Sequence, residues 1–233
     1  MLSETGSSIY RTLHPEELYI NEEGYLVLTS FEHCKRVDMG DYTYTLLGND
    51  HNYQAPEMIL GCGYTFTVDH WALGVLMHEL VIGYAPFGSN SRHGDSQLST
   101  YTKIMLHSRG SMQFPPEMEL PDTLKDLIDM LLSPEPHERL GGQPPEPGPT
   151  HDGAKLAQIH HQNSDGLKDH PFFEGVDFSS ITQGTAISPL KHMASLRFKN
   201  ALKTVEGIDA HNISWPQDKY DGNEDWRGHI WNP

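Results

Sequence analysis

The chain has 233 residues, with 32 Asp and Glu against 16 Lys and Arg and a formal net charge of −16. This acidic excess argues against binding to nucleic acid or to an anionic membrane, because both attract a basic face, but it permits a protein or basic-peptide partner. Cys34 and Cys62 show neither metal-type spacing nor a disulfide framework, which favours a reducing, cytoplasmic setting. The N-terminal sequence lacks the apolar core of a signal peptide, and residues 1–8 are expected to be disordered.

Two short apolar runs near the start of the chain have the composition of β-strands. They are residues 18–20 and 25–28, and the Asn, Glu and Gly residues between them suit a hairpin turn. One loop precedes the first strand, and another begins near Thr29. Because both loops leave the same end of the hairpin, their side chains can meet at one site.

The most apolar stretch of the chain, residues 67–87, predicts a buried central helix. Its apolar residues point in every direction on a 3.6-residue wheel, which is the pattern of a helix surrounded by protein. Thr67 suits the N-cap and Gly83 the C-cap. Asp69 and Glu79 are polar exceptions, for which a solvated carboxylate is the simpler interpretation. The helix is too short and too polar to span a membrane.

The second half of the chain predicts helices separated by polar segments. Helices are expected over residues 99–107, 122–132 and 165–173, the last one short. The second of these carries an apolar face formed by Leu124, Leu127, Ile128 and Leu131. The Pro-rich and His-rich residues 143–165 predict a flexible insert, and residues 181–233 predict a largely disordered tail.

Seven short motifs follow one another along residues 9–180. They read YRTLHPEEL from Tyr10, SFEHCKRV from Ser30, APE at 55–57, VDHWALG at 68–74, GYAPF at 83–87, ERLG at 138–141 and HPFF at 170–173. Together they resemble the motifs of a eukaryotic protein kinase, most closely of the AGC group with its cyclic-nucleotide-dependent kinases. The resemblance implies a mainly α fold with a small β-hairpin, that is, the α+β C-terminal lobe of a kinase, with an AGC-like tail over residues 181–233.

The positions at which the resemblance places catalysis hold unusual residues. Thr12 stands where the family has its catalytic Asp, and His14 stands where it has a Lys that steadies the transferring phosphoryl group. Glu17 and Ser30 stand at the two positions that bind Mg²⁺ in the family. Losing a general base alone costs roughly 10²–10⁴ in rate. No cofactor is therefore expected, although ATP and Mg²⁺ would be needed if the chain were an enzyme, and Glu17 with Glu32 could bind a cation.

The resemblance also implies a regulatory position. Thr45 falls on the family's activation-loop phosphosite, and Arg11 and Lys35 fall on the two basic residues that pair with the phosphate. The alternative is an ordinary loop threonine beside two surface cations.

Five further residues receive roles from the resemblance. Glu16 and Glu79 fall on acidic positions that bind arginine in basic substrates, although they could equally be solvated acids. Asp69 would accept backbone N–H groups from the catalytic loop. Glu57 and Arg139 would form a buried ion pair, in which loss of one partner costs roughly 3–5 kcal/mol.

Three functional hypotheses remain open from the sequence. The first is a pseudokinase that acts as a protein-binding or regulatory module. The second is a truncated AGC Ser/Thr kinase that phosphorylates basic proteins when an N-lobe completes it, and the third is a non-functional fragment. The nucleotide-binding N-lobe is expected to be absent, so an N-lobe or another chain is expected to cover the helix at residues 67–87.

Overall fold

A computed structural model describes residues 6–38, 41–45, 47, 50–88, 96–142, 166–192 and 194. The chain divides into two compact units. The first comprises Met1–Leu18 and Leu28–Gly175, and the second comprises Tyr19–Val27 and Val176–Pro233. No helix of the described residues is long and apolar enough to cross a membrane.

Four α-helices form the core of the first unit. They are α1 (Pro56–Ile59), α2 (Thr67–Ile82), α3 (Gln97–Leu106) and α4 (Asp122–Leu131). The apolar face predicted for α4 is buried in full and packs against α2. The two helices approach closely at Gly74, where a Cβ atom would lie 2.9 Å from the Cβ of Leu131. A 3-10 helix, Pro171–Phe173, packs on α4 after a helical turn at 166–168.

Helix α2 is the central helix that the sequence predicted. Gly83 adopts a φ of 95° and caps its C-terminus as expected, whereas the N-cap is Phe66, so Thr67 is the first helical residue instead. One side of α2 is less buried than the rest, and Leu80 on that side is 72% exposed. Leu73, Met77 and Val81 lie on the same side of the helix as Leu80 and are partly exposed.

Residues 6–8 lie in a strand, which corrects that part of the prediction of a disordered segment over residues 1–8. Residues 6–8 belong to β1 (Gly6–Ile9), which pairs antiparallel with β4 (Lys35–Asp38) in the register Ser8 to Arg36. The run Gly-Ser-Ser has no β propensity of its own, so the pairing depends on the partner strand and on the buried Ile9. Residues 1–5 lie outside the described part of the chain.

The predicted hairpin is present as β2 (Leu18–Ile20) and β3 (Leu26–Leu28). Most of it belongs to the second unit, together with α5 (Phe178–Thr182). Within that unit the hairpin turn contacts a segment from the far end of the chain. Ser188 Oγ donates to the carbonyl of Gly24 at 2.7 Å, and Tyr25 donates its hydroxyl to the carbonyl of Ala186.

Gly24 is required by this contact. Its φ is 86°, and a Cβ atom there would lie 2.6 Å from the backbone nitrogen of Lys191. The predicted insert at 143–165, and residues 193 and 195–233 of the predicted tail, lie outside the described residues.

Candidate functional site

Asp69 links helix α2 to the loop that carries Thr12. Its two carboxylate oxygens accept hydrogen bonds from the backbone N–H groups of Tyr10 and Arg11, each at 2.7 Å. Burial raises the pKa of Asp69 to about 6, against the opposite effect of these two donors. Arg11 has a φ of 70°, which is uncommon for a residue other than glycine. The two bonds to Asp69 therefore hold the loop in a conformation that it would not adopt alone.

Thr12 occupies the position expected of a general base, and it is buried. Its side chain is 4% exposed, and its Oγ1 has no partner with hydrogen-bond geometry. Burial raises the pKa of the nearby Tyr10 hydroxyl, and the Thr12 side chain partly offsets this rise. Thr12 lines a cavity of about 10 Å³, which is close to the least space that can hold one water molecule. Arg11, His14, Tyr53 and Asp69 are among the other residues that line this cavity.

His14 acts as a cap in this structure. Its Nδ1 accepts the backbone N–H of Glu16 at 3.3 Å and so caps the 3-10 helix Pro15–Glu17. Its ring lies 5.9 Å from the ring of Tyr53, centroid to centroid. An accepting Nδ1 requires an imidazole that is unprotonated at that nitrogen, so this geometry does not use His14 as a cation.

The two predicted Mg²⁺ positions supply a poor donor set. Glu17 Oε2 lies 3.5 Å from Thr29 Oγ1, which also donates to the Glu17 carbonyl at 3.2 Å, while Ser30 contributes only a hydroxyl. Mg²⁺ is usually held by one or two carboxylates together with substrate phosphates. Glu32, the other proposed cation ligand, is exposed. In the described parts of the chain no three His, Cys, Asp or Glu side chains are grouped to hold a metal. Of the two predicted Mg²⁺ positions, only Glu17 offers a carboxylate.

Glu79 is held in place by Tyr53, a residue that the sequence analysis did not single out. The Tyr53 hydroxyl donates to Glu79 Oε2 at 2.5 Å. Burial and this carboxylate together raise the pKa of Tyr53, so the phenol remains a donor. Glu16 is exposed on the capped 3-10 helix.

Glu57 and Arg139 form a buried, two-pronged ion pair. Arg139 Nη1 and Nη2 donate to the two carboxylate oxygens of Glu57 at 2.7 and 3.0 Å. The remaining three guanidinium hydrogens reach the carbonyls of Ser133 at 3.0 Å, Thr67 at 2.9 Å and Pro134 at 3.2 Å. The guanidinium also lies 5.2 Å from the ring of Trp71. This pair therefore joins α1, the start of α2 and the chain after α4.

The two cations predicted to flank Thr45 have other partners. Lys35 Nζ donates to Thr43 Oγ1 at 2.8 Å, and Thr43 Oγ1 lies 3.3 Å from Thr45 Oγ1. Arg11 Nη1 donates to the Tyr64 hydroxyl at 3.3 Å, and that hydroxyl donates to the Thr45 carbonyl at 2.6 Å. Both cations therefore reach Thr45 through a neutral side chain. No pattern in the sequence pointed to Thr43 or Tyr64.

Comparison with known proteins identifies the family to which this chain belongs. The family model of the protein kinase domain matches residues 5–146. This match covers more than half of the chain, and the chain belongs to the protein kinase family.

Individual relatives narrow the similarity to the AGC group of kinases. Human cGMP-dependent protein kinase 2 is 41% identical over 133 residues, which are 57% of this chain and 16% of that protein. The serine/threonine protein kinase ypkA of Aspergillus fumigatus is 34% identical over 177 residues, 75% of this chain and 23% of that kinase. The serine/threonine-protein kinase gad8 of Schizosaccharomyces pombe is 32% identical over 184 residues, 78% and 27% of the two chains. The chain thus spans only 16–27% of the length of these relatives.

Proposed function

We propose that the chain is a pseudokinase, a catalytically inactive kinase-like module that binds a protein partner. The observation that carries this proposal is Thr12. A threonine hydroxyl is not a base at neutral pH, and this one is 4% exposed, so it does not face a substrate. Replacement of the metal-binding position by Ser30 adds to the loss, because phosphoryl transfer depends on metal-carried charge.

The described residues correspond best to the C-terminal lobe of a kinase in a cytoplasmic setting. Support comes from the buried Glu57–Arg139 pair, the anchoring of the loop by Asp69 and the pairing of the described strands in twos only. This scaffold also favours the second hypothesis, a truncated AGC Ser/Thr kinase that uses ATP and Mg²⁺ when an N-lobe completes it. That hypothesis has to account for Thr12 and Ser30.

A basic peptide is the partner that the acidic residues near the loop fit best. Glu16 is exposed, and Glu79 is oriented by its hydrogen bond with Tyr53. A guanidinium pairs with carboxylates through charge-assisted, often two-pronged hydrogen bonds. The net charge of −16 would attract such a peptide at long range.

A binding titration tests this function. An arginine-containing peptide is expected to bind the full chain, and a peptide with citrulline in place of arginine is expected to bind at least tenfold more weakly, about 1.4 kcal/mol. The double variant Glu16→Gln, Glu79→Gln should abolish this preference. Equal binding of both peptides would contradict the assigned surface.

A thermal melt separates the pseudokinase from the two other hypotheses. The chain is expected to unfold cooperatively at a temperature that Mg-ATP does not change. A midpoint raised by Mg-ATP would favour the enzyme, because a ligand that binds only the folded state stabilises it. The absence of a cooperative transition would favour a non-functional fragment.

A further inference from the structure

Two extended segments of the first unit, residues 41–45 and 62–65, lie side by side. Thr43 and Tyr64 exchange both backbone hydrogen bonds, N–H to O=C, at 3.0 and 2.9 Å. Side chains alternate along the first segment, since Thr43 is 1% exposed while Tyr42 and Tyr44 are 60% and 66% exposed. Two tyrosine rings therefore face solvent on either side of a buried threonine.

The Tyr64 side chain ties this segment to the loop that carries Thr12. Its phenol is buried, donates to the Thr45 carbonyl at 2.6 Å and accepts from Arg11 Nη1 at 3.3 Å. Arg11 in turn donates its Nε to the carbonyl of His33 at 2.5 Å. Tyr64 thus bonds the segment through its backbone at Thr43 and through its hydroxyl at Thr45.

Lys35 also holds this segment, because its Nζ donates a hydrogen bond to Thr43 Oγ1 at 2.8 Å. Every contact in this network joins a cation or a neutral group to a hydroxyl or a carbonyl. Tyr64 bonds the carbonyl of Thr45 at 2.6 Å, whereas the exposed hydroxyl of Thr45 makes a longer contact of 3.3 Å with Thr43 Oγ1.

We propose that Tyr64 holds residues 41–45 in their extended conformation without phosphorylation of Thr45, and so displays Tyr42 and Tyr44 constitutively. Tyrosine offers a large contact area at a small cost in side-chain entropy, because only two χ angles are fixed. The use of this tyrosine pair by a partner rests on the proposed protein-binding function. The conformational role of Tyr64 does not.

Gly63 leaves room for Tyr42 and Tyr44 to pack against the neighbouring segment. A Cβ atom at Gly63 would lie 2.9 Å from Tyr42 Cβ and 2.9 Å from both Cζ and Oη of Tyr44. Side-chain atoms at this distance have to move. The Tyr44 ring is the far end of a flexible side chain and can shift, whereas the Tyr42 Cβ is fixed to the backbone, so the absence of a side chain at Gly63 matters most for Tyr42.

Hydrogen exchange measured by mass spectrometry tests the role of Tyr64. The experiment uses the full chain, with the absence of phosphate verified by intact mass. Tyr64→Phe should speed exchange in peptides that cover residues 41–45 by about fivefold, because one hydrogen bond contributes about 1 kcal/mol. Tyr25→Phe is the matched control, because Tyr25 also donates its hydroxyl to a backbone carbonyl, in the other unit. It should leave these peptides unchanged.

Thr45→Ala separates the carbonyl from the hydroxyl of that residue. This variant cannot be phosphorylated but keeps the carbonyl that Tyr64 bonds, so exchange over residues 41–45 should stay within about twofold of the parent, the scale of a weak hydroxyl contact. Exchange in Thr45→Ala as fast as in Tyr64→Phe would overturn the proposal. Unchanged exchange in Tyr64→Phe would overturn it as well.

Gly63→Ala gives an independent test of the display. It should increase exposure of Tyr42 and Tyr44 to a tyrosine-modifying reagent, whereas Gly166→Ala, where a Cβ atom would meet open space, should not. Unchanged labelling in Gly63→Ala would contradict the packing described. All of these measurements are made without a partner, so their outcome does not depend on whether the chain binds a basic peptide.

Discussion

Glu57 and Arg139 are separated by 82 positions in the sequence and are joined by hydrogen bonds of 2.7 and 3.0 Å in the core. Both side chains are buried, so each charge depends on the other for its solvation. Arg139→Met is expected to lower the free energy of unfolding by roughly 3–5 kcal/mol, because it leaves the Glu57 carboxylate buried and unpaired. Urea unfolding followed by circular dichroism measures this loss.

The control for that prediction is an exposed ion pair. Lys125 and Asp122 lie 3.2 Å apart at the surface of α4, and Lys125→Met should cost less than about 1 kcal/mol. The double variant Glu57→Gln, Arg139→Met should recover part of the loss, since the unpaired charge is gone. If Arg139→Met and Lys125→Met lowered the free energy of unfolding by similar amounts, Arg139 would not be the buried partner of Glu57.

Burial makes His70 a source of acid sensitivity. Burial, with help from the nearby charge of Arg139, lowers the pKa of His70 from 6.5 to about 4. The unfolded chain therefore takes up this proton first, and the folded state loses stability as the pH falls from 6.5 towards 4. The loss from this residue reaches roughly 3 kcal/mol at 1.36 kcal/mol per pH unit.

Urea unfolding of the parent and of His70→Gln at pH 7.5 and pH 4.5 checks this prediction. The parent should lose more stability between the two pH values than the variant does. The variant should keep a smaller acid sensitivity, because burial also lowers the pKa of His78 and His107. Equal losses in parent and variant would rule out His70 as a contributor.

Replacing the buried hydroxyl of Thr12 is expected to have an unusual effect on stability. Thr12→Val keeps the shape of the side chain and removes an oxygen that has no hydrogen-bond partner, so the free energy of unfolding should stay level or rise by up to about 1 kcal/mol. Thr43→Val is the matched variant, because Thr43 is also buried but accepts a hydrogen bond from Lys35, and its free energy of unfolding should fall by about 1 kcal/mol. Differential scanning fluorimetry can rank the two. A clear loss in Thr12→Val would mean that Thr12 has a partner.

Asp69 predicts a selective effect on the loop that it anchors. An asparagine can accept only one of the two N–H groups and turns its own amide towards the other, so Asp69→Asn should cost about 1–3 kcal/mol. Limited proteolysis should cleave within residues 10–17 before it cleaves elsewhere in unit one. Asp122→Asn, at an exposed helix start, is the control, and equal proteolysis of both variants would contradict the anchoring role.

Local patterns in the sequence predicted a large part of this fold. Helix α2, the buried face of α4 and the hairpin follow from hydropathy and turn residues within a few positions of one another. β1 was missed because its polar sequence becomes a strand only beside Lys35–Asp38. Ordered motifs located the loop of Thr12, but the partners of Tyr64 come from 19 and 53 positions away, a distance over which sequence periodicity carries no information.

The contact between Gly24 and Ser188 sets a minimum delay for the folding of the second unit during synthesis. These residues are 164 positions apart, so the hairpin turn leaves the ribosome long before its partner segment exists. At about 5–20 residues per second, the delay is roughly 8–33 seconds. During that interval the hairpin turn cannot form its hydrogen bonds with Ala186 and Ser188. The second unit therefore completes these contacts only after the delay, and slower translation would lengthen it.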